Sequence, residues 1–226
     1  MHLDEQLQKL QHEAEEHLRN GNLDKAGEVL LQILETGPPF PYGLYQLGLY
    51  HFNKGDNDQA VKKLNAALKM APEMLSARFL LGRALLEQRL FKESLQQFRE
   101  CVKLDNRDDE AYFFMAKASF ELKQPDDALA FLIEANAIEP DNILYKEAIA
   151  AFYVQKEEHN KAEEYLSLND MELIDRQETL LLLSDIAEKL GKREEQLTIL
   201  EKLISINPKS KDLIGEKIRK LKENPE

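Results

Sequence analysis

Few residues in this chain have both the type and the spacing to do chemistry. The five histidines are His2, His12, His17, His51 and His159, and no pair has the i, i+4 spacing of a helical metal site. There is no GxGxxG, no GxxxxGK(S/T) and no GxSxG. A single cysteine, Cys101, excludes an intramolecular disulfide and any multi-thiolate metal centre. Reactive thiols need an exposed, electropositive setting; Cys101 reads instead as a buried, inert one. Carboxylates are abundant, but on helix surfaces any two can lie near one another. No catalytic residue, metal or cofactor is therefore expected. What remains is recognition. Arg83 and Lys117 stand 34 residues apart, the first between Phe79 and Leu86, the second between Phe113 and Phe120. Twelve of the 17 aromatics fall between Phe40 and Phe120, which favours a local binding role over evenly spread packing.

The elements that must position these residues are set by a repeat. Frames of 34 residues, 7–40, 41–74, 75–108, 109–142, 143–176 and 177–210, follow one another without insertion or deletion. In the first half of each frame one column reads Ala14, Gly48, Gly82, Ala116, Ala150, Ser184, and small side chains there let two antiparallel helices approach closely. In the second half, Ala26, Ala60, Ser94, Ala128, Ala162, Gln196 precede by four positions Leu30, Leu64, Phe98, Leu132, Leu166, Leu200, so the two columns share a buried helix face. A closing column, Pro38, Pro72, Asn106, Pro140, Ile174, Pro208, ends the second helix.

On these columns the sequence resembles the tetratricopeptide repeat family, over about nine-tenths of the chain. The resemblance implies an all-α, right-handed superhelical solenoid of helix-turn-helix repeats, forming one domain over residues 1–226. Where that family often has Trp, the slot holds Leu10, Leu44, Arg78, Tyr112, Lys146 and Leu180, and the packing around Arg78 and Lys146 is expected to be looser.

Turn chemistry agrees with the frame. Gly21, Gly55 and Gly191 can take a left-handed conformation after a helix, and Asn22 and Asp56 can cap the next one. Pro125 suits a first helical position, and Asn160 with Glu163 suggests a capping box. Pro38-Pro39-Phe40-Pro41 reads as a rigid turn with Pro41 opening a helix rather than as a polyproline ligand. The fifth repeat departs most, with Asn169 at a small-residue position and Ile174 at the proline position. A short second helix and an irregular link are expected there, from decay of the repeat more than from a built hinge. Residues 211–222 read as a capping helix with Ile214, Ile218 and Leu221 inward, Leu213 widening the stripe, and Lys211, Lys217, Lys220 and Lys222 on a solvated face. Gln8, Gln11 and Glu15 make a polar leading face, so the span from Met1 through the cap reads as a complete array.

The family resemblance further implies that first helices line a concave groove holding extended peptides or partner helices. The groove positions are Tyr42, Tyr45, Leu49 and Phe52 in the second repeat, Phe79, Arg83 and Leu86 in the third, and Phe113, Lys117 and Phe120 in the fourth. The end repeats differ, with Leu144, Glu147 and Ala151, then Glu178, Leu181 and Asp185. Arg83 and Lys117 hold one register in adjacent repeats, and packed helices lie about 8–10 Å apart. Both cations can thus reach one carboxylate or phosphate; the plainer alternatives are aromatics that pack between repeats and charges that are solvated or paired with Glu87 and Glu121. The family's clamp for acidic chaperone tails uses Lys, Asn, Asn, Lys and Arg; those slots here hold Tyr45, Leu49, Leu80, Glu110 and Phe114. That ligand is not expected.

The expected function is a non-enzymatic scaffold or adaptor binding a peptide or helix of a partner protein. A self-assembling homo-oligomer is the alternative, and a regulatory subunit of an enzyme complex stands behind both. The net charge of -12 argues against a phosphate-backbone binder, so no nucleic acid partner is expected. The acidic N-terminus lacks the basic flank and apolar run of a signal peptide, and no stretch approaches 18 consecutive apolar residues. No membrane insertion is expected, and the cytoplasm is the default location.

Overall fold

The computed structural model describes residues 2–36, 40–172 and 174–223. Among them all regular structure is helical: thirteen α-helices, two single-turn 3₁₀ segments and no strand. The chain divides into two compact units, Met1–Phe131 and Leu132–Glu226.

The first unit holds helices α1 (His2–Arg19), α2 (Leu23–Thr36), α3 (Pro41–Asn53), α4 (Asn57–Met70), α5 (Leu75–Glu87), α6 (Phe91–Leu104) and α7 (Asp109–Glu121). The unit boundary falls within α8 (Pro125–Ile138). Short turns make sequence neighbours antiparallel partners. The small-residue column explains how close they come. A Cβ on Gly48 would sit 2.7 Å from Leu64 Cγ, and one on Gly82 would sit 2.8 Å from Phe98 Cζ. Both aromatic and aliphatic side chains of the second helices thus fill the space that a methyl group would need. Ala26, Ala60, Ser94, Leu30, Leu64 and Phe98 are all buried, as their columns require. Pro41 opens α3 after Phe40; Pro38 and Pro39 lie outside the described residues.

The second unit holds α9 (Ile143–Gln155), α10 (His159–Tyr165), α11 (Gln177–Lys189), α12 (Arg193–Ile206) and α13 (Lys211–Glu223). Its core joins Ala150, Ala162, Leu166, Leu180, Ile199 and Leu200 to Ile214 of α13, with Ile218 and Leu221 packed against it. The capping stripe is therefore Ile214, Ile218 and Leu221. Leu213 does not widen it, because that side chain is 82% exposed. Nor is the lysine face simply solvated: Lys217 Nζ donates to Glu188 of α11 at 2.6 Å and Lys222 Nζ to Glu201 of α12 at 3.2 Å.

The fifth repeat is irregular, as the sequence indicates. Helix α10 has only 7 residues and gives way to a 3₁₀ turn over Leu168–Asp170. The expected capping box at Asn160 and Glu163 is absent. Asn160 lies inside α10, whose N-cap is Glu158, without a side-chain bond. The box forms instead at Ser167 and Asp170. Asp170 Oδ1 also accepts from Lys146 Nζ at 2.5 Å, so the lysine in the Trp slot is anchored rather than loosely packed. Arg78 is likewise held, by Gln97 Oε1 at 3.2 Å and by the Pro72 carbonyl.

One backbone device recurs at all six turns within repeats. Gly21, Arg89 and Lys123 have φ of 71°, 60° and 61°, and Gly55, Glu157 and Gly191 have 77°, 61° and 69°. The following amide bonds back six-to-one each time, as in Asn22 N to His17 O at 2.9 Å and Leu90 N to Leu85 O at 2.9 Å. The paired inner bond is also present, as in Gly55 N to Phe52 O at 2.9 Å and Glu157 N to Val154 O at 2.9 Å. This is the Schellman motif, which satisfies carbonyls that the ending helix leaves open. Glycine favours it, yet three turns achieve it with a side chain present. Asp56 then caps α4 by accepting from Gln59 N at 3.2 Å.

Candidate protein-interaction site

The candidate residues lie along one stripe of three first helices. Helix α5 touches both α3 and α7, and residues three or four apart on each helix share a face. On α3 this face presents Tyr42, Tyr45, Leu49 and Phe52. Helix α5 presents Phe79, Arg83 and Leu86, and α7 presents Phe113, Lys117 and Phe120.

These residues differ in what they offer. Tyr42 is 44% exposed and Phe120 54% exposed, so the stripe carries solvent-facing aromatics on α3 and α7. Tyr42 Oη donates to Glu15 Oε1 at 3.1 Å, and its ring lies 6.0 Å from that of Tyr45. Burial pushes the Tyr45 hydroxyl above the usual tyrosine range, and burial together with Glu15 does the same at Tyr42. Tyr45, Leu49 and Phe52 rest half-buried on the core between α3, α4 and α5. Phe79 and Leu86 are also half-buried, packing against the core formed by Leu95, Phe98, Cys101 and Met115.

At the centre lies a residue that the sequence alone left out of the site, Phe114. Its ring stacks on the fully buried Phe98 at 5.4 Å and 13°, and Phe79 meets both rings edge-on at 5.5 Å. The Arg83 guanidinium carbon lies 5.5 Å from the Phe114 ring centre and 5.0 Å from that of Phe52. Lys117 Nζ lies 5.3 Å from the same Phe114 ring and 5.9 Å from Phe113. Both cations thus gather over one aromatic platform, as cations do over the negative face of a ring. Neither pairs with Glu87 or Glu121, and among the described residues neither forms an ion pair with any carboxylate. Arg83 spans the three helices from Phe52 on α3 to Phe114 on α7.

The remaining candidates for chemistry stay structural. Cys101 is fully buried, and burial pushes its thiol up to about 12, far from the thiolate a nucleophile needs. His51 packs edge-on against Tyr50 at 5.1 Å, and burial lowers its pKa. Among the described residues no group of His, Cys, Asp and Glu could hold a metal ion, and no helix is long and apolar enough to cross a membrane.

The comparisons agree with this architecture. Antiparallel helix pairs repeating every 34 residues, with small residues at the crossing, define a helical-repeat scaffold. Tetratricopeptide repeat profiles match residues 45–109, 87–152 and 177–210, together more than half of the chain. The chain belongs to the tetratricopeptide repeat family. Among solved structures, MamA from residue 41 to its end, from Desulfovibrio magneticus RS-1, is 25% identical with a TM-score of 0.68, covering 74% of this chain and 94% of that one. PilF of Pseudomonas aeruginosa is 17% identical with a TM-score of 0.77, covering 97% of this chain and 99% of that one. A curated relative from Schizosaccharomyces pombe, DnaJ homolog subfamily C member 7 homolog, is 23% identical over 142 residues, or 56% of this chain. The chain spans only 30% of that relative's length. Proteins built from this repeat are typically non-catalytic scaffolds for protein interaction or assembly.

Proposed function

We propose that this protein is a non-enzymatic adaptor that holds a peptide segment or helix of a partner protein against the face of α3, α5 and α7. The observation carrying this reading is the pair of cations over Phe114, without carboxylate partners, in a stripe that also holds exposed Tyr42 and Phe120. An apolar stripe alone would be read as core. Cations set among aromatic side chains and not engaged by a carboxylate of the chain remain available to a partner's anion.

Burying an aromatic contact contributes roughly 1.5–3 kcal/mol, and ordering a flexible segment offsets much of it. Micromolar affinity is the expected scale. The test is affinity capture from native cell extract with wild-type protein and with the double variant Arg83→Glu/Lys117→Glu. Partner capture should be lost while the circular dichroism spectrum stays unchanged; retained capture overturns the reading. Light scattering that shows mass rising with concentration, and rising equally in the double variant, would favour self-assembly away from this face.

A further inference from the structure

The geometry around Phe114 points to a more specific property: we infer that Arg83 and Lys117 form an anion subsite that selects partner segments carrying a carboxylate or phosphate on a side chain. This inference rests on the groove reading and narrows its partner class.

The argument starts from what the rings occupy. Phe52 and Phe114 lie 5.0 and 5.5 Å from the Arg83 guanidinium carbon, holding the cation without consuming its N–H donors in strong hydrogen bonds. A guanidinium carries five donors in a planar fork that matches carboxylate and phosphate oxygens two at a time. Two rings flank the guanidinium before a ligand arrives, so less freedom is lost on binding. The platform itself is rigid, because Phe114 is stacked on the fully buried Phe98 and braced edge-on by Phe79. Lys117 brings a second positive charge to the same ring, as an exposed ammonium that can meet an anion from the solvent side.

The neighbours set what should flank the anion. Leu49 and Phe52 on one side and Phe113 and Phe120 on the other offer apolar and aromatic contacts. The preferred segment therefore places its acidic residue between bulky apolar ones. The two cations stand outside the slots of a clamp for a chain's terminal carboxylate, which hold Tyr45, Leu49, Leu80, Glu110 and Phe114. The anion is consequently expected inside the segment.

The test uses an array of random 15-residue peptides blocked at both ends, probed with wild-type protein and with Arg83→Gln/Lys117→Gln. Each binding peptide is then reprinted with Asp, Asn, Ser or phosphoserine at its acidic position. Binders should share an acidic residue flanked by apolar ones, and Asp→Asn should weaken binding about tenfold or more. The Gln variant should erase that preference. A larger gain with phosphoserine than with Asp assigns the site to phosphate; the reverse assigns it to carboxylate. Binders without acidic preference, or a preference that survives in the Gln variant, overturn the subsite and leave the groove reading standing. No binder that Phe120→Ala weakens overturns both. Arg83→Lys, which keeps charge and loses the fork, guards against misfolding: it should retain part of the preference at an unchanged melting temperature.

Discussion

A methyl group at Gly82 would meet three atoms of the Phe98 ring at 2.8 to 3.0 Å. Phe98 is fully buried and stacked on Phe114, so it has nowhere to move. Gly82→Ala should gain about 1 kcal/mol of helix propensity but lose more to overpacking, which typically costs 1–3 kcal/mol. A net destabilisation of about 1 kcal/mol is expected. Gly215 in α13 is the internal control, since a Cβ there meets nothing within 4 Å. Gly215→Ala should stabilise, by up to about 1 kcal/mol. Urea midpoints of the two variants, shifting in opposite directions, check the assignment. At this scale the small-residue column was legible because one steric requirement recurs in every repeat. Phe114 was not, because its slot figures in the sequence only as a clamp position that lacks its cation, and nothing in the sequence shows which side chains meet its ring. Only the convergence of Arg83 and Lys117 on its ring reveals a second use.

At the scale of elements, the 34-residue frame anticipates the alternation and the turns, and it marks the fifth repeat as the exception. It does not reveal what replaces the lost helical turns. Asp170 accepts from Ser167 N at 2.9 Å and from Lys146 Nζ at 2.5 Å, with side-chain exposures of 10% for Asp170 and 19% for Lys146. Local sequence suggested a cap at Asn160, but the aspartate that shapes this link draws on a lysine 24 positions earlier, a tertiary partnership that no window of neighbours contains. Asp170→Ala leaves Lys146 unpaired in a mostly buried position and removes the turn's cap. Hydrogen bonds to charged groups are worth about 1.5–3 kcal/mol, so a loss of about 2 kcal/mol is expected. Hydrogen exchange should show it first as lost protection at the amides of Leu166, Asp170 and Met171, which bond within this link.

At the scale of the molecule, charge works in two directions. The chain carries a net charge of -12, while the inferred subsite attracts anions. An acidic segment approaching from solution meets a repulsive field, and only within contact distance does it meet Arg83 and Lys117. Salt screens the long-range repulsion more than a partly buried contact. Raising salt from low to physiological levels should therefore leave the association rate of an acidic segment unchanged or faster, and dissociation should accelerate as the contact weakens. Stopped-flow measurement of both rates separates the effects. A steep fall in association rate with salt would mean that the local cations dominate the whole field. Composition exposed the global sign of this balance, and the 34-residue register already paired Arg83 with Lys117; the ring they share, Phe114, is what the fold adds.

The six left-handed turn positions have a use beyond closing helices. They amount to a calibration series written into one polypeptide, with the same backbone torsion occupied by hydrogen at residues 21, 55 and 191 and by full side chains at 89, 123 and 157. A Cβ added at any of the three glycines touches nothing within 4 Å, so Gly→Ala there registers torsional cost undiluted by packing. The reverse exchanges, Arg89→Gly, Lys123→Gly and Glu157→Gly, release that cost against the entropy that glycine regains when unfolded. The strain borne at 89, 123 and 157 is a reserve from which these repeats gain stability wherever its relief outweighs the entropy glycine regains.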